Sequence, residues 1–293
     1  MALRLPHGFA SLQEIDDAYD PLKRAIDAAA SNRQFSERSE AARRALPYLP
    51  AISYGPTVAE TLDIFPAAES GAPVFLFIHG GYWRARSARD FSCVAAGPHS
   101  LGFTTVVIDY ALCPAVSLDE IVRQARAAAA WVLRHIGGHG GDPQRVVIGG
   151  HSAGGHLGAM LLATDWAGDY GLPADPFAGA VLVSGLYDIA PLRFSYLQPA
   201  IQLDEGAVQR NSPISHVRSC ATPLVLSWGE AEQDAFARQS LEFRAAWEEA
   251  GNAAELAPQP GADHFAAVQA FEDPGSTLCQ TLLQMGKPPT PCR

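Results

Sequence analysis

One serine of the sequence stands on a tight corner between an apolar run and a helix-like run. The pentapeptide GHSAG, Gly150–Gly154, has the pattern G-x-S-x-G and follows the apolar residues Val146–Ile148. In this pattern a strand turns sharply into a helix, and the turn raises the serine hydroxyl above the sheet. Glycines flank the serine because side chains there would clash with the neighbouring strand and helix. The spacing therefore predicts a nucleophile elbow with Ser152 as the attacking group.

A second glycine-rich stretch, HGGYW at His79–Trp83, follows an earlier apolar run. A serine that attacks a carbonyl needs N–H donors where the carbonyl oxygen becomes an anion, and loops of the HGG type supply them from the backbone. The expected donors of this oxyanion hole are the N–H groups of Gly80 and Gly81, together with that of Ala153 beside the serine. His79 itself is interpreted as a structural residue that orients the loop.

A serine hydroxyl also needs a general base, and the base needs an acid that orients it. For a nucleophile elbow the expected chain order is serine, then Asp or Glu, then histidine. His264 lies in a Gly-rich loop past the last predicted strand, whereas His156 is on the helix after the serine and His216 lies in an insertion. His264 is therefore the predicted base. The candidate acids follow the predicted strand TPLVLSWG and are Glu230, Glu232 and Asp234.

The elements that must position these groups are strands alternating with helices. Short continuous apolar runs end at glycines or polar residues, as strands buried on both faces do, and include PVFLFI, TTVVI, RVVIGG, GAVLVSG and TPLVLSW. Helical spacing is clearest at 117–138, where Ser117 and Glu120 have the pattern of a capping box, and continues at 236–251 and 265–283. The pattern predicts the α/β class, with a mostly parallel sheet covered on both faces and a ligand site at the strand ends.

The chain is interpreted as a single domain, 1–293, with two additions to the repeating pattern. Residues 11–45 have helical spacing and form most of an N-terminal helical extension, 1–50, which Pro-containing residues then end. A long segment with prolines, 187–217, separates two strands, and such insertions tend to be lids or pocket walls. Aromatic walls suit a flat aryl group. The expected pocket residues are Tyr82, Trp83, Tyr187, Phe194 and Tyr196.

Composition limits the partners of the chain. The formal net charge of −10 over 293 residues argues against a nucleic-acid partner, because phosphate contacts need clustered Lys and Arg. No apolar run approaches the ~20 residues of a membrane helix, and no signal peptide is indicated, so we expect a cytoplasmic protein without a membrane partner. The cysteines lack metal-ligand spacing, so free thiols and no metal or other cofactor are expected. A homodimer is the base-rate expectation for assembly.

Several motifs together resemble the arylformamidase (kynurenine formamidase) branch of the α/β-hydrolases, near the hormone-sensitive-lipase-like esterases. They are HGGYW, GHSAGGHL, SGLYD, Ser212-Pro213, the FxRQS pattern at 236–240 and DHF at 263–265, and the similarity extends from about residue 18 to residue 283. The resemblance implies an α/β-hydrolase fold, Ser152 as nucleophile and His264 as base. It points to Glu232 as the acid, three residues after Gly229. The family more often has Asp, so Asp234 stays the alternative.

The sequence thus predicts a serine hydrolase that cleaves a small acyl group from an aryl amide or ester through an acyl-enzyme. The resemblance implies N-formylkynurenine or a similar small-molecule substrate. A short-chain carboxylesterase and an aryl acylamidase are alternatives because they would use the same residues. A non-catalytic binding module on the same fold is a further alternative, because fold does not fix function.

Overall fold

The computed structural model describes residues 5–25 and 27–288, without the side chains of residues 28–32. Eight strands form one sheet in the order β1-β2-β4-β3-β5-β6-β7-β8. The strands β3 to β8 run parallel to their neighbours, whereas β1 and β2 are antiparallel additions at one edge. Their bounds are β1 Leu49–Ser53, β2 Thr61–Phe65, β3 Ala72–Ile78, β4 Thr104–Ile108, β5 Gly141–His151, β6 Gly179–Val183, β7 Leu224–Ser227 and β8 Ala254–Leu256.

Helices cover both faces of the sheet because the central strands are apolar on both. In β3 the side chains of Val74, Leu76 and Ile78 pack into one core, and those of Phe75 and Phe77 pack into a second core on the other face. This division follows from the two-residue period of a strand. The helices are α1 Leu12–Tyr19, α2 Ala28–Ala45, α3 Ala96–Ser100, α4 Leu118–His135, α5 Ala153–Leu162, α6 Trp166–Tyr170, α7 Gln198–Ile201, α8 Glu205–Asn211, α9 Asp234–Glu249, α10 His264–Gln269 and α11 Thr277–Met285.

The predicted α/β class and the mostly parallel, doubly covered sheet are confirmed. Two local differences have simple causes. Pro-containing residues after α2 form the edge strand β1, because Pro50 is tolerated where a strand has a free edge. The expected helix at 265–283 is divided into α10, a 3-10 turn and α11, because Pro274 and Gly275 interrupt it.

The segment 187–217 contains the short helices α7 and α8 and 3-10 turns at Ala190–Phe194 and Pro213–His216. Within the described part of the chain, no helix combines the length and apolarity that crossing a bilayer requires. The cysteines at 93, 113, 220 and 279 are buried free thiols. Cys292 lies outside the described residues.

Candidate active site

Ser152 lies at the junction of β5 and α5 in a backbone conformation that serine rarely adopts. Its φ is 57° and its ψ is −118°. Such a conformation costs on the order of 1–3 kcal/mol and persists only where its surroundings fix it. Here the Ser152 N–H donates to the Val183 carbonyl on β6 at 2.9 Å, and the Ser152 carbonyl accepts from the N–H of His156 at 3.1 Å. The turn is thus held by the next strand and by the first turn of its own helix.

The glycines around Ser152 are required by close backbone contacts. A Cβ on Gly150 would overlap the Gly154 carbonyl, and a Cβ on Gly154 would overlap the Ile78 carbonyl of β3. A Cβ on Gly155 would lie 2.9 Å from the Gly185 Cα. The elbow therefore packs directly against the ends of two neighbouring strands, as the sequence pattern predicts.

The loop after β3 lies beside the serine. A Cβ on Gly80 would lie 2.9 Å from the His151 carbonyl oxygen and 3.2 Å from the Ser152 Cβ, so only glycine allows this approach. Gly81 has a φ of +116°, and a Cβ there would overlap the Ala85 carbonyl. Gly81 also lines the same cavity as Ser152. The predicted donors Gly80, Gly81 and Ala153 are therefore close together around the serine.

His79 fixes the backbone of this loop through hydrogen bonds and ring stacking. Its Nδ1 donates to the Gly80 carbonyl at 2.7 Å, and its own carbonyl accepts from the Tyr110 hydroxyl at 2.8 Å. The imidazole stacks on the Tyr110 ring at 4.3 Å between centroids. Burial lowers the pKa of His79 to about 4, so the ring is neutral at physiological pH. These contacts are those of a residue that orients the loop.

His264, at the start of α10, is paired with Glu232. The His264 Nδ1 lies 2.7 Å from the Glu232 Oε2, and the two side chains are 5% and 1% exposed. The Asp234 side chain is 92% exposed and pairs with Arg24, and Glu230 is exposed as well. Of the three candidate acids, the structure therefore brings only Glu232 to the imidazole.

The second carboxylate oxygen of Glu232 is also bound. Glu232 Oε1 accepts from the Gly229 N–H at 2.6 Å and from the Ser184 hydroxyl at 2.5 Å. A carboxylate held at both oxygens has one orientation, with Oε2 toward the imidazole. The role of Ser184 was not predicted from the sequence, although Ser184 directly precedes Gly185 at the end of a predicted strand.

Ser152 and His264 line one cavity of about 210 Å³. Among the hydrogen bonds of the described residues, none joins the Ser152 hydroxyl to the imidazole of His264. Such bonds are often long or poorly aligned before a substrate binds. His151, the last residue of β5, donates from its Nε2 to the His264 carbonyl at 3.0 Å. The elbow is therefore hydrogen-bonded directly to His264, the predicted general base.

The predicted pocket residues are only partly in this cavity. Tyr82 and Tyr196 line it, and the remaining walls include Phe35, Arg84, Ala85, Arg86, Phe91, Phe265 and Val268. Trp83 is buried elsewhere and donates from Nε1 to the His156 Nδ1 at 3.2 Å. Tyr187 is buried against Phe243 with ring centroids 4.3 Å apart. Phe194 lines a separate cavity beside the N-terminal residues.

The expectation for these three aromatics is corrected for a physical reason. Proximity in sequence to the HGG loop or to the insertion does not set the direction of a side chain. The backbone of Trp83 has a φ of 55°, a left-handed conformation. Its ring reaches the core, where an indole N–H finds a partner.

The N-terminal segment contributes more of the cavity wall than 187–217, the segment that the sequence predicts as a lid or pocket wall. Residues 20–22 and Phe35 line the cavity, and Tyr196 alone represents the insertion. Arg24 Nη1 donates to the Glu232 carbonyl at 2.6 Å, and the Gln233 side chain donates to the Asp20 carbonyl. These long-range contacts carry no local sequence signal, so they could not be predicted from the sequence.

Comparisons with known proteins show the family and the fold of the chain. The alpha/beta hydrolase fold family matches residues 75–268, a range that includes the loop at Gly80–Gly81, Ser152, Glu232 and His264. The kynurenine formamidase of Danio rerio is 30% identical over 257 residues, which cover 84% of this chain and 85% of that protein. The esterase LipQ of Mycobacterium tuberculosis is 31% identical over 78% of this chain and 63% of its own length.

Solved structures give the same fold. A crystal structure from a Silicibacter species, described as that of a thioesterase, has a TM-score of 0.83 and 28% identity, and the match covers 92% of this chain and 98% of that one. Esterase B from Lactobacillus rhamnosis has a TM-score of 0.67 and 18% identity, over 91% of this chain and 96% of its own. The second similarity shows the shared fold alone.

Proposed function

The chain belongs to the alpha/beta hydrolase family, in the branch of its kynurenine formamidase relatives, and from that premise we propose that it is a serine hydrolase. It removes a small acyl group from an aryl amide or ester through an acyl-enzyme. The observation that carries the proposal is the buried pair of His264 and Glu232, 2.7 Å apart, whose imidazole lines the cavity that also holds Ser152.

The reaction uses each group in turn. His264 takes the proton of the Ser152 hydroxyl as the oxygen attacks the substrate carbonyl, and Glu232 stabilises the imidazolium. The N–H groups of Gly80, Gly81 and Ala153 bind the oxyanion. His264 then gives the proton to the leaving amine or alcohol, and water releases the acyl group by the reverse sequence.

The cavity favours a small acyl group on a single aromatic ring. Its volume of about 210 Å³ lies below the roughly 300–1,000 Å³ of pockets for drug-sized ligands. Phe35, Tyr82, Phe91 and Tyr196 form aromatic walls. Flat rings stack favourably against such walls. The size favours short acyl groups, and the walls favour an aryl leaving group.

Turnover of three substrates tests the substrate class. We would measure kcat/KM for N-formylaniline, acetanilide and p-nitrophenyl acetate, each divided by its uncatalysed rate, because the nitrophenyl ester is intrinsically reactive. Our proposal expects the largest rate enhancement for the formyl aryl amide. An enhancement confined to the ester would instead favour a short-chain carboxylesterase, and one largest for acetanilide an aryl acylamidase. A protein inactive on all three that also resists active-site labelling would be a binding module.

A further inference from the structure

Ser184 follows the last residue of β6 and is fully buried. Its φ is 51°, in the left-handed region that glycine occupies without strain and serine does not. The backbone is fixed there because the Ser184 N–H donates to the Ser227 carbonyl of β7 at 2.7 Å. A serine is therefore kept at a position where the backbone alone would favour glycine.

The hydroxyl of Ser184 has one described partner, the carboxylate of Glu232. Ser184 Oγ donates to Glu232 Oε1 at 2.5 Å, within the short range of hydrogen bonds to charged acceptors. The Gly229 N–H binds the same oxygen at 2.6 Å, and Oε2 is left for His264. Gly229 lies on the same turn as Glu232, whereas Ser184 comes from a different part of the chain, the end of β6.

We propose that Ser184 is a positioning residue for the acid of the catalytic triad, an inference that rests on the proposed function. Its hydroxyl fixes the rotation of the Glu232 carboxylate and stabilises its negative charge in a buried site. Without that donor, Oε1 keeps only the Gly229 N–H, and the carboxylate is free to turn away from the imidazole.

Two variants separate the hydroxyl from the backbone strain. Ser184→Ala removes the hydroxyl and keeps the Cβ and its left-handed strain, whereas Ser184→Gly removes both. Ser227→Ala is the matched control, because Ser227 is an equally buried strand-end serine whose hydroxyl donates to the Ala257 carbonyl and not to the acid. Each protein is assayed for kcat, KM and thermal unfolding.

We expect both Ser184 variants to lose kcat by about 10- to 100-fold, as for a lost hydrogen bond to a charged group, with KM within about twofold. Ser227→Ala should keep the wild-type kcat and KM. A purely structural role would lower the thermal stability and leave the kcat of the folded protein unchanged.

The proposal is overturned if both variants keep kcat within about twofold of wild type, or if Ser184→Gly restores the activity that Ser184→Ala loses. Failure of both variants to fold would also overturn it, in favour of a structural role. These results differ from failure of the proposed function, in which the wild-type protein itself hydrolyses none of the three substrates.

Discussion

At the scale of single residues, the site depends on one serine in a strained turn and on the ionised acid behind its base. The contact between Glu232 and His264 is buried, so a charge there acts with little screening from water. Asp234 is two residues away and exposed, so its charge is solvated. The same short segment thus holds two carboxylates with different environments, and only burial and contact distinguish them.

Glu232→Gln should therefore reduce kcat far more than Asp234→Asn. We expect a loss of about 10²–10⁴-fold for the first, because an amide no longer stabilises the imidazolium and can hold the wrong tautomer. For the second we expect a change of less than about threefold. Steady-state kinetics on one substrate provide the comparison, and the reverse order would assign the acid to Asp234.

Residues with a strong local pattern were predictable from the sequence. The pentapeptide at 150–154 and the HGG loop are governed by backbone clashes between adjacent residues and strands, and those rules act over a few residues. The partner of His264 was not settled in this way, because Glu232 and Asp234 both follow the same strand. The directions of the Trp83 and Tyr187 side chains depend on distant packing, so proximity in sequence predicted them wrongly.

At the scale of elements, the loop after β3 is fixed by glycine. Gly81 and Gly102 both have positive φ, at +116° and +84°, but a Cβ on Gly81 overlaps the Ala85 carbonyl, whereas a Cβ on Gly102 meets nothing within 4 Å. Both positions therefore need a backbone with positive φ, but only at Gly81 do neighbouring atoms leave no room for a side chain.

The N-terminal segment is the second important element, because it lines the cavity and because Arg24 binds the Glu232 carbonyl.

Gly81→Ala should displace the oxyanion loop and reduce kcat by about 10²–10³-fold, the usual effect of losing one oxyanion donor. Gly102→Ala is the control, and we expect it to lower stability by about 1 kcal/mol with kcat unchanged. Kinetics and thermal unfolding of both variants check this. Equal losses of kcat would mean that backbone strain alone, and not the oxyanion loop, explains the effect.

At the scale of the whole molecule, buried histidines link the site to the rest of the fold. His156 accepts from the Trp83 indole at its Nδ1 and donates from Nε2 to the Asn211 carbonyl at 2.7 Å, so it joins the HGG loop to the insertion. Burial lowers the pKa of His156 to about 4, as it does for His79. Burial raises the pKa of Asp109 to about 6.

These shifts contribute to the pH dependence of stability. Between about pH 6.5 and 4, His79 and His156 bind protons in the unfolded chain but stay neutral in the folded protein. Each of the two histidines therefore lowers the stability of the folded protein by about 3 kcal/mol over this range. Asp109 acts in the opposite direction, because the folded state binds its proton as the pH falls through about 6. Burial also lowers the pKa of His151, so the buried histidines outweigh Asp109 and the free energy of unfolding should fall on acidification.

Urea unfolding at pH 7 and pH 5 measures this loss. His156→Gln should reduce the difference between the two pH values, because it removes one of the titrating groups. His216→Gln, at an exposed position, is the control and should leave the difference unchanged. A wild-type protein equally stable at both pH values would show that the buried histidines do not limit its acid tolerance.

The most direct test of the account is the site of covalent labelling by a fluorophosphonate. The reagent reacts with a serine that a neighbouring base activates, and mass spectrometry of the intact protein and its peptides locates the adduct. We expect one adduct, on Ser152, in the wild-type protein and none in a folded Ser152→Ala variant. A wild-type protein that stays unlabelled, or an adduct on another serine that persists in Ser152→Ala, would contradict the assignment of Ser152 as the nucleophile.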